Sequence, residues 1–317
     1  MDTLAGFLDG PRARGAFLLR AMLDPPWSLR IQDEAPLTLV AVARGCGCIV
    51  AADGGTHELR VGDVAIVRGP EPYLVADDPA TPPQVVIHPG QRCTTVDGQD
   101  LGGAMHLGVR TWGNDPDGST VMLVGTYETC GEISQPLLDA LPQVAVLPDD
   151  AWDCPLVPLL AEEIVKDEPG QDAVLDRLLD LLLIAALRAW FSRPDADPPA
   201  WYRAHRDPIV GPALRLLHGN PSHPWTVGSL AAEVGCSRAA LARRFAEVVG
   251  EPPMTFLTKW RLALAADLLR EPGATVTSVA GQVGYASPYA LSAAFKRVRG
   301  VSPTEHRLAA EADRASA

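Results

Sequence analysis

An internal repeat in the last third of the chain restricts the fold more than any other feature. Ala231 and Gly235 match Ala280 and Gly284, 49 residues later. A second set recurs after 50 residues, with Leu241, Phe245, Gly250 and Pro253 matching Leu291, Phe295, Gly300 and Pro303. The change of interval falls just after the central glycine, where a turn can absorb one residue. The chain therefore contains two copies of one supersecondary unit.

The first copy predicts a helix-turn-helix. Residues 227–234 form a short helix in which Leu230 and Val234 are buried and Ala231 allows a second helix to cross closely. Gly235 ends this helix, since glycine adopts a left-handed conformation most easily. Ser237 then caps a helix that runs to Val249, with inward residues Leu241, Phe245 and Val248.

The second copy follows the same pattern. Val279, Ala280 and Val283 precede Gly284, and Ser287 caps a helix that runs to about Arg299. The residues predicted to face inward on that helix are Leu291, Phe295 and Val298. Pro253 opens a long connecting helix whose apolar residues lie on one face: Phe256, Trp260, Leu264 and Leu268. A rigid connector of this kind would hold two recognition helices for successive major-groove segments, about 34 Å apart.

Charge is divided unevenly along the 317 residues. Residues 1–206 hold 15 basic and 30 acidic side chains, a net −15, whereas residues 207–317 hold 12 and 9, a net +3. The acidity that gives the whole chain −12 therefore belongs to the first two thirds. The mildly basic last third permits phosphate contacts.

The part before the repeat is predicted to be rich in short strands. β-forming runs lie at 37–42, 48–50, 64–67 and 121–124, and glycine and aspartate clusters separate them. Such a pattern is typical of a small sandwich or barrel. Helices follow at 156–166 and 172–191, the second with Asp172 as its N-cap, and a proline-rich linker occupies 192–199.

These observations predict an α+β multidomain protein with three parts. Residues 1–193 form the strand-rich domain with its helical region, residues 194–206 a linker, and residues 207–310 an all-α domain. The first residues lack a secretory signal, and the most apolar stretch, 178–187, is too short to span a bilayer. Six scattered cysteines do not indicate a disulfide scaffold, so we expect a cytoplasmic protein that does not bind membranes.

The segment from Trp225 to Arg307 resembles the AraC/XylS family of bacterial transcription regulators. Its matching motifs are Cys236-Ser237-Arg238, Leu257-Thr258-Lys259-Trp260-Arg261, Val283-Gly284-Tyr285-Ala286-Ser287, Ala294-Phe295-Lys296-Arg297 and Gly300-Val301-Ser302-Pro303. The resemblance implies double-stranded promoter DNA as a partner, with RNA polymerase, an unknown effector and a second copy of the chain as further partners. It leaves open whether the protein is an activator or a repressor.

The resemblance also implies which residues contact DNA. Ser237 and Ser287 begin the two recognition helices, whose base-reading positions would be Arg238, Ala239, Ala242, Arg243, Pro288, Tyr289, Ala290 and Ala293. Arg243 is the best candidate for direct readout, because a guanidinium can hold guanine through two hydrogen bonds, and a phosphate contact is its alternative role. Four basic residues would face phosphates: Arg244, Lys296, Arg297 and Arg299.

The stretch from Leu59 to Val67 resembles part of a cupin-type β-barrel, with Gly62-Asp63 turning the chain between strands. Three shorter motifs and the end of the second helix agree with an AraC-type cupin-like ligand-binding domain: Cys130-Gly131, Leu141-Pro142, Pro169-Gly170 and Leu187-Arg188-Ala189-Trp190. His57, His88 and His106 are isolated, so neither a metal site nor a cofactor is predicted. A cupin-type enzyme with an accessory DNA-binding domain is the alternative function.

Two features of this domain allow more than one interpretation. Cys46, Cys48 and Cys93 are candidate redox sensors, and Arg92 would favour the Cys93 thiolate if the two side chains lie close together. Buried or incidental cysteines are the alternative. The helix 172–191 carries apolar residues on several sides, including Leu179, Leu181 and Leu183. It would pack against either a partner subunit or the rest of its own chain.

Overall fold

The computed structural model describes residues 16–127, 135–152 and 154–316, with side chains up to residue 310. The chain divides into two compact units. Pro11–Cys130 and Leu138–Asp197 form the first unit, and Pro198–Ala317 forms most of the second. The division falls inside the predicted linker. The motif Cys130-Gly131 lies outside the described residues.

Short strands fill most of the first unit, as the alternation of β-forming runs and turns predicts. The strands are β1 Phe17–Leu23, β2 Ser28–Ile31, β3 Leu37–Arg44, β4 Cys46–Val50, β5 Thr56–Arg60, β6 Val64–Arg68, β7 Tyr73–Ala76, β8 Val85–His88, β9 Arg92–Thr95, β10 His106–Gly108, β11 Thr111–Gly113, β12 Thr120–Tyr127 and β13 Val144–Leu147. They form a seven-stranded sheet in the order β10-β11-β1-β12-β3-β6-β13 and a six-stranded sheet in the order β5-β4-β7-β2-β8-β9.

The two sheets share one apolar core. Leu23, Val40 and Met122 from the larger sheet pack in the same cluster as Ile49 and Val75 from the smaller one. Because side chains alternate along a strand, each sheet presents one apolar face to this core. β5, β9, β10 and β13 lie at sheet edges, so the described strands form two facing sheets and not a closed barrel.

The Gly62-Asp63 pair turns the chain between β5 and β6, as predicted. Gly62 has a φ of +89°, which favours glycine. The Asp63 carboxylate accepts hydrogen bonds from the backbone N–H groups of Arg60, at 2.8 Å, and Asp149, at 2.9 Å. The aspartate therefore ties the turn to the segment that follows β13.

The described residues between β12 and the second unit form three α-helices: α1 Gln135–Leu138, α2 Leu156–Glu163 and α3 Gln171–Ser192. The prediction that Asp172 caps α3 is wrong. The N-cap is Gly170, and Asp172 lies in the first turn, where its carboxylate pairs with Arg110 and faces the positive end of the helix dipole. α2 ends three residues earlier than predicted.

Helix α3 packs on the larger sheet at a glycine. A Cβ atom at Gly125 of β12 would lie 2.5 Å from Leu179, so the absence of a side chain there allows the helix to approach the strand. Leu179 and Leu183 are fully buried, whereas Leu181 is 50% exposed and Val174 is 44% exposed. The sequence did not decide what the three leucines Leu179, Leu181 and Leu183 pack against. Burial within the chain accounts for two of them, Leu179 and Leu183.

The second unit is helical throughout. Its helices are α4 Ala200–Ala204, α5 Val210–Gly219, α6 Val227–Glu233, α7 Arg238–Val249, α8 Pro253–Arg270, α9 Val276–Gln282, α10 Pro288–Arg299 and α11 Pro303–Ser316. Helix α4 lies within the predicted linker, and its Trp201 and Ala204 are buried. No helix within the described ranges is both long and apolar enough to cross a membrane.

The inward residues of the second unit mostly follow the predicted spacing. Leu230, Leu241, Phe245, Leu291 and Phe295 are fully buried. The prediction that Val298 faces inward is wrong, because this side chain is 52% exposed. Val298 lies in the last turn of α10, where the Arg299 guanidinium covers Phe295, 5.3 Å from the ring centroid. On the connector α8, Phe256 and Trp260 are buried, whereas Leu264 and Leu268 are half-buried.

Candidate DNA interface and sensor site

Both copies of the repeat begin and end their helices with the same hydrogen bonds. Thr226 caps α6, and Thr275 caps α9 49 residues later, each accepting from a serine N–H three residues on. Ser237 caps α7 and Ser287 caps α10, and each hydroxyl accepts from the N–H of an alanine at 3.2 Å. Ser237 and Ser287 therefore fix where the two candidate recognition helices start.

The turn inside each copy is also the same. Gly235 and Gly284 have φ values of +72° and +80°. Next to them, the N–H of Cys236 donates to the carbonyl of Ala231 at 3.0 Å, and the N–H of Tyr285 donates to that of Ala280 at 2.8 Å. The extra residue of the second copy comes after this bond, where the interval changes from 49 to 50. The two copies of the repeat are therefore helix-turn-helices with the same turn.

Helix α7 carries two exposed arginines at the predicted base-reading positions. Arg238, Ala239 and Arg243 are exposed, and Ala242 is half-buried. The Arg243 side chain is 78% exposed, and its Nε lies 3.7 Å from Oε1 of Glu247 one turn later. An ion pair that is so exposed and has so long a distance between its charged atoms contributes little to stability. The Arg243 guanidinium therefore stays available to contact DNA.

Helix α10 presents a different surface from the equivalent positions. Pro288, Tyr289 and Ala293 are exposed, and Ala290 is half-buried. Tyr289 is 83% exposed, although aromatic side chains are usually at least partly covered. Tyr289 stands where α7 has Ala239, and Pro288 and Ala293 stand where α7 has Arg238 and Arg243. At these equivalent positions the first helix is thus basic, and the second is apolar except for the phenol of Tyr289.

Arg244 is held by acidic neighbours within the second unit. Its Nε donates to Oδ2 of Asp207 at 2.8 Å, and a further nitrogen lies 3.4 Å from Glu247. Burial would raise the pKa of Asp207, but hydrogen bonds from the N–H groups of Val210 and Ile209 and from Arg244 lower it overall. Asp207 thereby joins the start of α5 to α7. This geometry favours a role for Arg244 in positioning α7, and its phosphate contact stays a prediction.

The remaining predicted phosphate-facing residues lie towards the end of α10. Lys296 and Arg297 are exposed, whereas Arg299 is half-buried over Phe295. Basic side chains in a last helical turn also interact favourably with the helix dipole. Lys296 and Arg297 are therefore able to reach a phosphate backbone, whereas Arg299 contributes to packing.

Sequence reasoning missed two residues that hold the candidate DNA-binding surface in place. Asp207 stands shortly before the first residue of α5, which is a typical position for a capping aspartate. The sequence alone could therefore have identified it. Arg261 of α8 donates from Nε to the carbonyl of Pro221 at 2.7 Å and from a terminal nitrogen to that of His223 at 2.8 Å. Its partners lie 38 and 40 residues away, so no local pattern reveals them.

The candidate redox cysteines lie in different environments. Cys46 is exposed, Cys48 is buried, and Cys93 is half-buried. Burial raises the pKa of Cys93, and the negative charge of Asp100 raises it further, so the expectation that Arg92 favours the thiolate is wrong. Burial also raises the pKa of Cys48. Both thiols are therefore less reactive than a free cysteine at neutral pH.

The histidines of the first unit are separate from one another. The two ring nitrogens of His88 lie 3.3 Å from the side-chain amide of Gln32 and 2.9 Å from the hydroxyl of Thr94, which accounts for both. In the part of the chain that the structure describes, no three His, Cys, Asp or Glu side chains come together in a way that could hold a metal ion.

A cavity of about 170 Å³ lies among residues of the first unit, between the two sheets. Its walls are mostly aliphatic and aromatic, and the polar side chains among them include Asp33, Gln91 and Thr126. Tyr73 also lines the cavity, and burial, with the charge of Asp33 adding to it, keeps the pKa of its hydroxyl far above the usual value. The first unit therefore offers a largely apolar cavity to a small molecule.

Comparison with known proteins identifies related sequences along the whole chain. A cupin family profile matches residues 2–192, and a helix-turn-helix domain profile matches residues 230–309. A Streptomyces lividans protein described as an AraC-like transcription regulator is 32% identical over 97% of this chain and 98% of its own length. The transcriptional regulator AlkR of Acinetobacter baylyi is 27% identical over 97% of this chain and 99% of its own length.

Among solved structures, the DNA-binding domain of AdpA in complex with a target DNA is 33% identical to this chain. The match covers 35% of this chain and 99% of that domain, with a TM-score of 0.33.

Proposed function

This chain belongs to the family of AraC-like transcription regulators, and we propose that the exposed faces of α7 and α10 read its operator while the cavity between the sheets binds its effector. It is a DNA-binding regulator with a cupin-like N-terminal domain. In this proposal residues 1–193 detect the signal, residues 194–206 link the two domains, and residues 207–310 bind promoter DNA. The protein then acts in the cytoplasm, where a bacterial promoter lies.

One observation carries the assignment of the reading surface. The two helix-turn-helices share their caps and turns, yet each leaves a different set of side chains exposed at equivalent positions. Arg238 and Arg243 offer donors to guanine edges, and Tyr289 offers one hydroxyl and an apolar ring. Lys296 and Arg297 are assigned to phosphates, which set affinity and not sequence choice.

The proposal assigns ligand detection and not catalysis to the first unit, because relatives that match along the full chain are named as regulators. A small molecule is favoured over cysteine oxidation as the signal. The raised pKa of Cys48 and Cys93 reduces the thiolate fraction on which oxidation depends.

The proposal includes a homodimer formed by the helical region of the first unit. Four exposed apolar side chains lie on or beside α2 and α3, namely Leu159, Val165, Val174 and Leu181. On α3, Val174 and Leu181 are seven residues apart and share one face. Covering this face with a second copy would remove apolar surface from water and double the number of DNA contacts. RNA polymerase is the partner through which the bound regulator would act.

Substitution of Arg243 tests the reading surface. The operator is first found by genome-wide mapping of the binding sites of the full-length protein. We expect Arg243→Ala to weaken binding to that operator by about tenfold to a hundredfold and to reduce discrimination among operators with single base changes. Arg243→Lys should restore affinity for DNA in general without restoring the discrimination, since an ammonium cannot form the paired hydrogen bonds.

Arg215→Ala is the matched control, because Arg215 is an exposed arginine on α5, outside both helix-turn-helices. Binding is measured by fluorescence anisotropy at fixed salt. If Arg243→Ala weakens all DNA sequences equally and leaves discrimination unchanged, Arg243 contacts a phosphate and the readout assignment fails.

A further inference from the structure

The cavity of the first unit has a composition that restricts its ligand more than its size does. Aromatic rings line it from three strands, with Phe17 on β1, Tyr73 on β7 and Trp112 on β11. Aliphatic side chains such as Ile31 and Met122 complete the walls. A cavity of about 150 Å³ with apolar walls can hold a benzene molecule, so about 170 Å³ suits one ring or a short chain.

Among the described residues that line this cavity, Asp33 is the only charged one. Its Oδ1 accepts from the N–H of Ala35 at 3.1 Å, and its Oδ2 accepts from the side-chain amide of Gln91 at 3.2 Å. Both donors are neutral, and none of the ion pairs found among the described residues includes Asp33. The half-buried carboxylate therefore lies at the cavity wall without a basic side chain beside it among the described residues.

An aromatic lining with one carboxylate favours a ligand that is apolar and positively charged. A cation is attracted both to the faces of the rings and to the carboxylate. An anionic ligand would lose its hydration and be repelled by Asp33, and the described lining residues include no basic side chain to pair with it. A carboxylic acid or a phosphorylated compound is thus disfavoured.

We propose that the effector is a small hydrophobic amine, whose ammonium group is held by Asp33 and the aromatic rings while its apolar part fills the cavity. This inference rests on the proposed function, in which the cavity binds the effector. It goes further by naming the ligand's chemical class and the residue that selects it.

Three probes of similar size and different charge test the proposal. Benzylamine is cationic, benzyl alcohol is neutral, and benzoate is anionic at neutral pH. Binding to the full-length protein is measured by calorimetry and by tryptophan fluorescence, with each probe up to millimolar concentration. We expect benzylamine to bind at least about tenfold more tightly than benzoate, with benzyl alcohol between them.

Asp33→Asn is the decisive variant. An asparagine keeps an oxygen that can accept from Ala35, so the local turn is retained while the charge is lost. The preference for benzylamine over benzoate should fall to within about twofold. Asp97→Asn removes the same charge from an exposed position of the same unit outside the cavity lining, and it should leave the order of the three probes unchanged.

Trp112→Phe supplies a second variant. The Trp112 indole N–H is buried and lacks a hydrogen-bond partner among the described residues, so the change leaves no described acceptor unpaired. Because Phe attracts cations less strongly than Trp, benzylamine should bind less tightly while benzyl alcohol changes less.

Each of three results would overturn the proposal. Benzoate could bind as tightly as benzylamine, the order of the three probe affinities could stay unchanged in Asp33→Asn, or no probe could bind. Operator binding by the same protein sample separates this failure from that of the proposed function. Protein that binds its operator but prefers benzoate contradicts the ligand class alone, whereas protein that binds no specific DNA contradicts the proposed function.

Discussion

His218 of α5 is a buried histidine that the sequence did not single out. Its ring lies edge-on to Phe256 and Trp260, with centroid distances of 5.3 and 4.4 Å. Burial, with the charge of His205 adding to it, lowers the pKa of His218 to about 3. The imidazole therefore stays neutral in the folded protein well below the pH at which a free histidine gains a proton.

This lowered pKa predicts that the second unit loses stability as the pH falls. Between about pH 6.5 and pH 3 the unfolded chain binds a proton at His218 that the folded chain does not bind, so acid favours unfolding. From pH 7 to pH 5 the free energy of unfolding should fall by about 2 kcal/mol on account of this residue. Urea unfolding of the full-length protein at the two pH values measures the difference.

His218→Phe should remove most of that pH dependence, since phenylalanine does not titrate. His223→Ala is the control, because His223 is exposed in the same unit and its removal should leave the pH dependence nearly intact. A variant at position 218 with the same acid sensitivity as the parent would contradict this account.

Single residues were predicted well where their partners are close in sequence. Ser237 and Ser287 bind backbone groups three residues away, so a local pattern was enough to place both caps. Arg244 was predicted to face DNA, but its partner Asp207 lies 37 residues earlier. Contacts over such separations depend on how helices pack, which the sequence pattern does not reveal.

At the scale of elements, the two central glycines offer a matched comparison. Both have a positive φ, so alanine at either position costs about 1–2 kcal/mol of strain. At Gly235 a Cβ atom would meet nothing within 4 Å, whereas at Gly284 it would lie 2.7 Å from the backbone of Ser222. Gly284→Ala should therefore destabilise the protein by about 1–3 kcal/mol more than Gly235→Ala.

Urea unfolding of both variants, followed by far-UV circular dichroism, gives this difference directly, since each variant is the other's control. The same order should appear in operator affinity, because the turn sets the angle at which the recognition helix leaves it. Equal loss of stability in the two variants would show that the neighbouring loop yields to the new side chain at no cost.

Elements with a continuous apolar run or a helical period were the ones predicted correctly. Strands β3, β6 and β12 contain apolar runs, helices α7 and α10 repeat apolar residues at helical spacing, and all five are present. Helix α4 has only five residues in a proline-rich stretch for which the sequence predicts a linker, although Trp201 and Ala204 are buried. A helix this short is stabilised by packing and not by its own sequence.

At the scale of the whole molecule, the exposed face of α3 predicts self-association. Leu181→Glu places a charge in the centre of the proposed dimer face and should shift the protein from dimer to monomer. Sedimentation velocity over a range of protein concentrations measures this shift. Val61→Glu is the control, because Val61 is a similarly exposed apolar residue in the turn between β5 and β6.

A monomeric parent protein, or a Leu181→Glu variant that remains dimeric, would remove this face from the proposal.

The resemblance to a cupin-like ligand-binding domain implied a ligand site, but the residues that line the cavity were not predicted from the sequence. Its walls come from strands that are distant in the chain, and the space between two sheets depends on how closely they pack.

If α7 and α10 read the operator as proposed, the difference between them gives each bound chain a front and a back along the double helix. Two alike reading helices would suit a site whose halves are interchangeable, but one helix with exposed arginines and one with an exposed tyrosine would need unlike half-sites in a fixed order. Moving the same site to the opposite strand would turn each bound protein end for end. A regulated promoter should then respond to its site in only one of the two orientations.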